Sequence, residues 1–297
     1  MEDIRETIKK NRSSLSDSSI KTYTSIVSNL YKYMKKTQDV DGCVEYFSKH
    51  PKDVLKYLED KDGSKRKTML ASLVVLTEKH PAVELYRKQM LDDAHKHNDK
   101  EKDQEKSESQ KENWISQEEL KEIYAELDKD NRPLLSKASL KPNEFQRLQN
   151  FVILSLYVLQ PPRRLQDYTE MKIKGELDKT KDNYIDKSKF VFNKYKTAKA
   201  HGQETIPINP KLKFILDKWK KVNPHDWLLV GMTDKKFSSS QLQQRLNGIL
   251  GKKASVNILR HSFLSDKYKD INIRDMEETA KALGHSVAQQ MLYVKKE

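Results

Sequence analysis

Residues 144–168 read EFQRLQNFVILSLYVLQPPRRLQDY. The apolar run inside this stretch falls short of the ~18 residues that a membrane span needs. Its length and continuity predict a buried core helix from about Glu144 to Leu159. Pro161 and Pro162 cannot continue that helix, and they stiffen the loop that follows it. The loop presents two adjacent arginines, Arg163 and Arg164, straight after the hydrophobic centre of a domain.

Upstream of this centre, Ser116-Gln-Glu-Glu119 reads as a capping box, with Ile115 and Leu120 at staple spacing. A domain therefore opens near residue 113. Downstream, residues 184–208 read as β-structure. Phe190 and Phe192 alternate with their neighbours, Lys196-Thr197 is expected to end the first strand of a hairpin, and the turn is expected around Ala200-His201-Gly202. Pro207 restricts the returning strand to a sheet edge or a strand end. From Pro210 the pattern is helical again, with a stop at Gly284.

The N-terminal part is helical. Ile20, Tyr23, Val27, Leu30 and Met34 recur in steps of three and four behind a Ser16 or Asp17 cap. Further helices are expected after Pro51 and after Ser64, the latter pattern being interrupted at Pro81. Lys65, Arg66 and Lys67 fall in a first helical turn, where the macrodipole disfavours cations. They read equally as a phosphate-holding helix start, and so candidate DNA-binding residues, or as a solvated basic turn.

Residues 92–112, DDAHKHNDKEKDQEKSESQKE, carry one member of the hydrophobic set, Ala94, and are expected to form a charged, extended linker. The organisation predicted is therefore a helical domain over 1–91, a linker over 92–112 and a second domain over 113–297. The fold class is mostly α with a small β-sheet, α+β.

Composition narrows the function. The 297 residues carry 57 Lys+Arg against 44 Asp+Glu, a net charge of +13, which suggests a polyanionic partner. The single cysteine, Cys43, excludes disulfide scaffolds and Cys-rich zinc sites. The N-terminal MEDIRETIKKN has no apolar core of a secretory signal, so an intracellular protein that is neither secreted nor membrane-bound is expected. Nucleotide-binding glycine loops, the G-x-S-x-G elbow and H-E-x-x-H are absent. His95-x-His97 lacks a second ligand pair, and Asp128-Lys-Asp130 lies in a solvated charge run.

What remains is an ordered set in the second domain. It runs from Pro161-Pro162-Arg163-Arg164-Leu165-Gln166-Asp167-Tyr168 to Lys196-Thr197, then Asn257-Ile258-Leu259-Arg260-His261-Ser262-Phe263, Leu283-Gly284-His285-Ser286 and Tyr293. This set resembles the tyrosine recombinases, the phage-integrase family, over residues 113–297. The first domain and linker fit that family's core-binding domain and connector by position only. The PPRR-x-x-D-Y form is also similar to recombinases of large DNA viruses and mobile elements.

The resemblance implies DNA strand breakage and rejoining through a 3′-phosphotyrosine, in site-specific recombination or integration, without metal, ATP or other cofactor. It implies double-stranded DNA as partner, four protomers on two duplexes, and a location wherever that DNA lies, such as a cytoplasmic viral factory or a host nucleus. The first arginine is implied to be Arg164, with Asp167 in the supporting acidic slot and Arg163 as the rival. The hairpin lysine is implied to be Lys196, with Lys194 and Lys199 nearby. Arg260 is then the second arginine, His285 the later histidine and Tyr293 the nucleophile. His261, next to Arg260, reads as a packed or capping histidine.

Three departures stand out. Asn257 occupies the slot where the family commonly has histidine, and an amide donates to a phosphate but cannot move a proton. Tyr293 follows His285 by eight residues, one fewer than in many members, and only Val294 to Glu297 follow it. Two other readings share these features. One is a type IB topoisomerase-like enzyme that relaxes DNA as a monomer; the other is a DNA-binding protein with a degenerate site.

Overall fold

A computed structural model describes residues 2–231, 235–282 and 286–287. The chain is mostly α-helical with one small sheet, and it divides into two compact units.

The first unit takes the described residues up to Glu105 together with Asn272–Ala282. Its helices are α1 (Glu2–Asn11), α2 (Asp17–Lys35), α3 (Cys43–Lys49), α4 (Pro51–Leu58), α5 (Gly63–Leu76) and α6 (Ala82–Glu101). Helix α2 starts as its sequence requires, with the Ser16 hydroxyl accepting the Ser19 N–H, and its Ile20, Val27 and Leu30 are buried. Phe47, Val54, Leu58, Leu70, Leu73 and Tyr86 complete this core. Cys43 lies within it, and burial pushes its thiol up to about 12.

The expected extended linker is instead largely helical. Asp92–Glu101 forms the end of α6, and Glu108–Asn113 forms α7 behind a full Ser107/Gln110 capping box. Asp93 supplies one reason. It is 8% exposed, and both its oxygens accept the Arg66 guanidinium at 2.6 Å, while Gln89 donates to it at 2.9 Å. Composition described the exposed remainder of that segment and missed the acids that distant arginines recruit, Asp93 by Arg66 and Asp103 by Arg274.

The second unit spans Lys106–Ile271. After α7 come α8 (Gln117–Asn131), a short 3-10 turn at Arg132–Ser136, α9 (Pro142–Val158) and α10 (Leu165–Thr169). The strands are β1 (Met171–Lys172), β2 (Asn183–Asp186), β3 (Lys189–Phe192) and β4 (Glu204–Pro207), with the short helix α11 (Ala198–His201) between the last two. Helices α12 (Pro210–Val222), α13 (Ser239–Leu250) and α14 (Val256–Lys267) follow. Helix α15 (Ile273–Ala282) belongs to the first unit, where Arg274 pairs with Asp103 and Lys102 with Glu277 at 3.0 Å. Among the described residues, no helix is long and apolar enough to cross a membrane.

Helix α9 is the centre of the second core, with Phe151 to Leu156 buried against Leu212, Leu216, Trp219, Leu242 and Leu246. At α8 the Ser116 hydroxyl caps the Glu119 N–H, but the Glu119 carboxylate pairs with Lys252 at 2.6 Å, so half of the expected capping box forms. The sheet order is β1-β2-β3-β4, parallel at the first pair and antiparallel at the others. Strand β4 lies at one edge, and Pro207 is its last residue, where a missing N–H costs no ladder bond. Phe190, Val191 and Phe192 are all buried, so β3 is covered on both faces and does not alternate. The hairpin also differs from expectation in length. Strand β3 ends at Phe192, and Lys196-Thr197 lies in the long turn beyond it.

Candidate active site

The loop after α9 leads into α10, with Arg164 as its N-terminal flanking residue. Arg163 and Arg164 have opposite fates. Arg163 turns inward: Nε donates to Asp167 Oδ2 at 2.7 Å, its terminal nitrogen lies 2.8 Å from Glu204, and its guanidinium sits 4.2 Å above the Phe192 ring. Arg164 makes no hydrogen bond or ion pair with any described residue and is half-buried. One arginine is committed to structure and its neighbour is left with all its donors.

Arg260 comes from the first turns of α14, which Ser255 caps by accepting the Ile258 N–H. Val256, Ile258 and Leu259 bury one face of that helix, and Ser262 accepts from Gln117 at 2.9 Å. Arg260 is half-buried and likewise makes no hydrogen bond or ion pair with a described residue. Arg164 and Arg260 line one cleft of about 300 Å3, with Pro161, Pro162, Ile206 and Pro207 in its walls. Two guanidinium groups with no hydrogen-bond partner among the described residues, beside apolar walls, have the donor geometry that suits a doubly coordinated anion.

Asp167 lines the same cleft and is 1% exposed. Burial pushes its carboxyl above the usual range, against the opposing pull of Arg163 and Arg164. Its Oδ1 has no hydrogen-bond partner among the described residues. The acid thus supports the arginine loop, and it does so through Arg163.

Tyr195 and Thr197 line the cleft on either side of Lys196, which is exposed and unpaired among the described residues. Lys194 pairs with Asp182 at 3.1 Å, whereas Lys199 is exposed on α11. Asn257 is exposed on α14 and is not among the cleft residues. His261 is also exposed, so it is not a packed histidine; α14 turns its apolar face elsewhere. His285 and Tyr293 lie outside the described residues. In the first unit, the Arg66 guanidinium is held by Asp93 and by the Glu59 carbonyl, so it is a structural residue, while Lys65 and Lys67 are exposed.

Tyrosines close to the cleft are poor nucleophiles. Burial raises the phenols of Tyr157, Tyr168 and Tyr195 above their ordinary value, and Tyr195 donates to the Gly202 carbonyl at 2.9 Å.

A residue that sequence reasoning missed is Asn183. It is fully buried at the start of β2, and its amide joins α10 to the turn beyond β3. A polar residue at a strand start carries no signal of that role, because its partners come from other segments.

No protein-family profile matches the sequence. No curated protein matches it either. Among solved structures, the chain is similar to the crystal structure of XerA recombinase, with a TM-score of 0.37 and 14% identity, over 100% of this chain and 94% of that one.

Proposed function

We propose that this protein breaks and rejoins double-stranded DNA as a tyrosine recombinase, through a 3′-phosphotyrosine intermediate. The observation that carries the reading is the pair Arg164 and Arg260. They come from separate elements, line one cleft and have no protein partner among the described residues. Each guanidinium can bind a non-bridging phosphate oxygen and stay charged at any working pH. Both gain strength as charge builds in the transition state, which is where phosphoryl transfer needs them.

Tyr293 is the nucleophile in this reading. A phenol with an ordinary pKa near ~10 attacks poorly at neutral pH, and two adjacent guanidinium groups favour its ionised form. The bond to the 5′-oxygen breaks as the bond from the phenolic oxygen to phosphorus forms. The leaving 5′-oxygen takes a proton from the Lys196 ammonium, a general acid on an exposed turn. Reversal with a second 5′-hydroxyl rejoins the strand, and four protomers on two duplexes make that exchange reciprocal. His285 and Asn257 add hydrogen-bond donors to the phosphate.

The test is covalent trapping on nicked suicide substrates drawn from a library of candidate sites, in buffer containing EDTA. A denaturation-resistant adduct that disappears in Tyr293→Phe supports the reading. DNA binding without an adduct at any site refutes it in favour of a non-catalytic binder. An adduct that persists in Tyr293→Phe assigns the nucleophile to another tyrosine. Relaxation of supercoils without strand exchange moves the protein to the topoisomerase reading.

A further inference from the structure

The Lys196 turn has to be held in place relative to the arginine loop, and one buried side chain spans the two. Asn183 Nδ2 donates to the Asp167 carbonyl on α10 at 3.1 Å and to the Lys194 carbonyl at 2.9 Å. Its Oδ1 accepts the Asn193 N–H at 2.8 Å and the Lys194 N–H at 2.6 Å. Both donors and both acceptor positions of the amide are filled. Asp167 is thereby gripped twice, its carboxylate by Arg163 and its carbonyl by Asn183. Lys194, two residues before Lys196, is held through its N–H and its carbonyl.

We infer that Asn183 is a positioning residue for the strand-cleavage reaction, setting the Lys196 turn against the helix that follows Arg164. The inference rests on the recombinase reading. The brace fixes the base of the turn and leaves its tip exposed. A general acid on an otherwise loose turn spends little time within reach of the leaving oxygen, so anchoring the base raises that fraction. Only an amide fits the slot. Asp would set a carboxylate against two carbonyls, and Ala would leave the Asn193 and Lys194 N–H groups and the Asp167 and Lys194 carbonyls without this partner.

The experiment compares Asn183→Ala, Asn183→Asp and Lys196→Ala on suicide substrates carrying either the ordinary 5′-oxygen or a 5′-bridging sulfur at the scissile phosphate. A thiolate leaves without a proton, so a defect confined to the general acid is rescued by sulfur. The expected result is a loss of roughly 100-fold on the oxygen substrate for all three variants, the scale of a general acid. On the sulfur substrate each recovers to within about threefold of the unaltered protein.

Limited trypsin digestion gives a readout apart from activity. Cleavage after Lys194, Lys196 and Lys199 is expected to accelerate roughly tenfold or more in both Asn183 variants, as the turn opens locally. An equal loss on both substrates, or an unchanged digestion rate, overturns the positioning role. If Asn183→Ala does not fold, Asn183→Asp, which keeps the acceptor oxygen, decides by the same criteria. If the unaltered protein cleaves neither substrate, the enzymatic reading fails and the positioning role falls with it. Cleavage by the unaltered protein keeps the two failures distinct.

Discussion

Arg163→Ala separates the two adjacent arginines by stability alone. The substitution removes the partner of Asp167, whose carboxylate is 1% exposed and has its other oxygen already without a hydrogen bond. Breaking a buried pair in this way costs about 3–5 kcal/mol. The carboxyl can limit that cost by taking up a proton. From an ordinary pKa near ~3.9, protonation costs about 4 kcal/mol at pH 7 and about 1.5 kcal/mol at pH 5. Loss of the guanidinium from the Phe192 face adds about 0.5–2 kcal/mol at either pH.

The sign follows from linkage. The folded-state pKa of Asp167 is already raised by burial, and losing Arg163 raises it further. A raised carboxyl favours the fold at low pH, and that advantage is lost as pH climbs through the folded pKa. The penalty of Arg163→Ala should therefore be smaller at pH 5 than at pH 7. Urea unfolding of Arg163→Ala and of the Arg163→Ala/Asp167→Asn pair at both pH values measures this. The double variant should recover most of the loss at pH 7 and show little change with pH. A penalty equal at the two pH values, or no recovery by Asp167→Asn, would refute the assignment of Arg163 to a structural role through Asp167.

Further outcomes follow from the same structure. Arg164→Ala and Arg260→Ala should each abolish the covalent adduct while changing stability by less than about 1 kcal/mol, because neither has a protein partner among the described residues; melting curves beside trapping assays check this. Arg66→Ala should destabilise the first unit by about 2–4 kcal/mol by stranding Asp93, whereas Lys65→Ala with Lys67→Ala should stay within about 0.5 kcal/mol and flatten the salt dependence of DNA binding. Acid titration should reveal Asp182. Burial works against its charge, yet Lys172, the Asp178 N–H and Lys194 together hold its carboxyl below the usual range. Its contribution is present above ~4 and is lost as pH falls through the lowered folded value, so Asp182→Asn should unfold with a shallower loss of stability on the acid side, read by denaturant midpoints from pH 5 to pH 3.

The sequence by itself determined several local features. Pro161-Pro162 after a continuous apolar run marks the end of α9 and the start of the arginine loop. The three- and four-residue steps of α2, a cap at Ser16 or Asp17 and the cap at Ser116 mark helix starts, because a cap bonds to an N–H two or three residues on. Pro207 restricted its strand to an edge or a strand end for want of an N–H, and both hold in β4. These features depend on chemistry within a few residues, which a sequence displays directly.

Only the tertiary structure distinguishes the surroundings of Arg163 from those of Arg164. They are adjacent and identical in type, and the difference lies in Glu204 and Phe192, which strand pairing carries to Arg163. It also shows Arg66, a candidate phosphate ligand, paired with Asp93, and much of the charged 92–112 segment in helix. The same holds for Asn183, whose four bonds join residues from α10 and the turn beyond β3. A charged or amide side chain has the same composition whether solvated or committed. Its role is fixed by which partners the fold brings within ~3 Å, and those partners lie far along the chain.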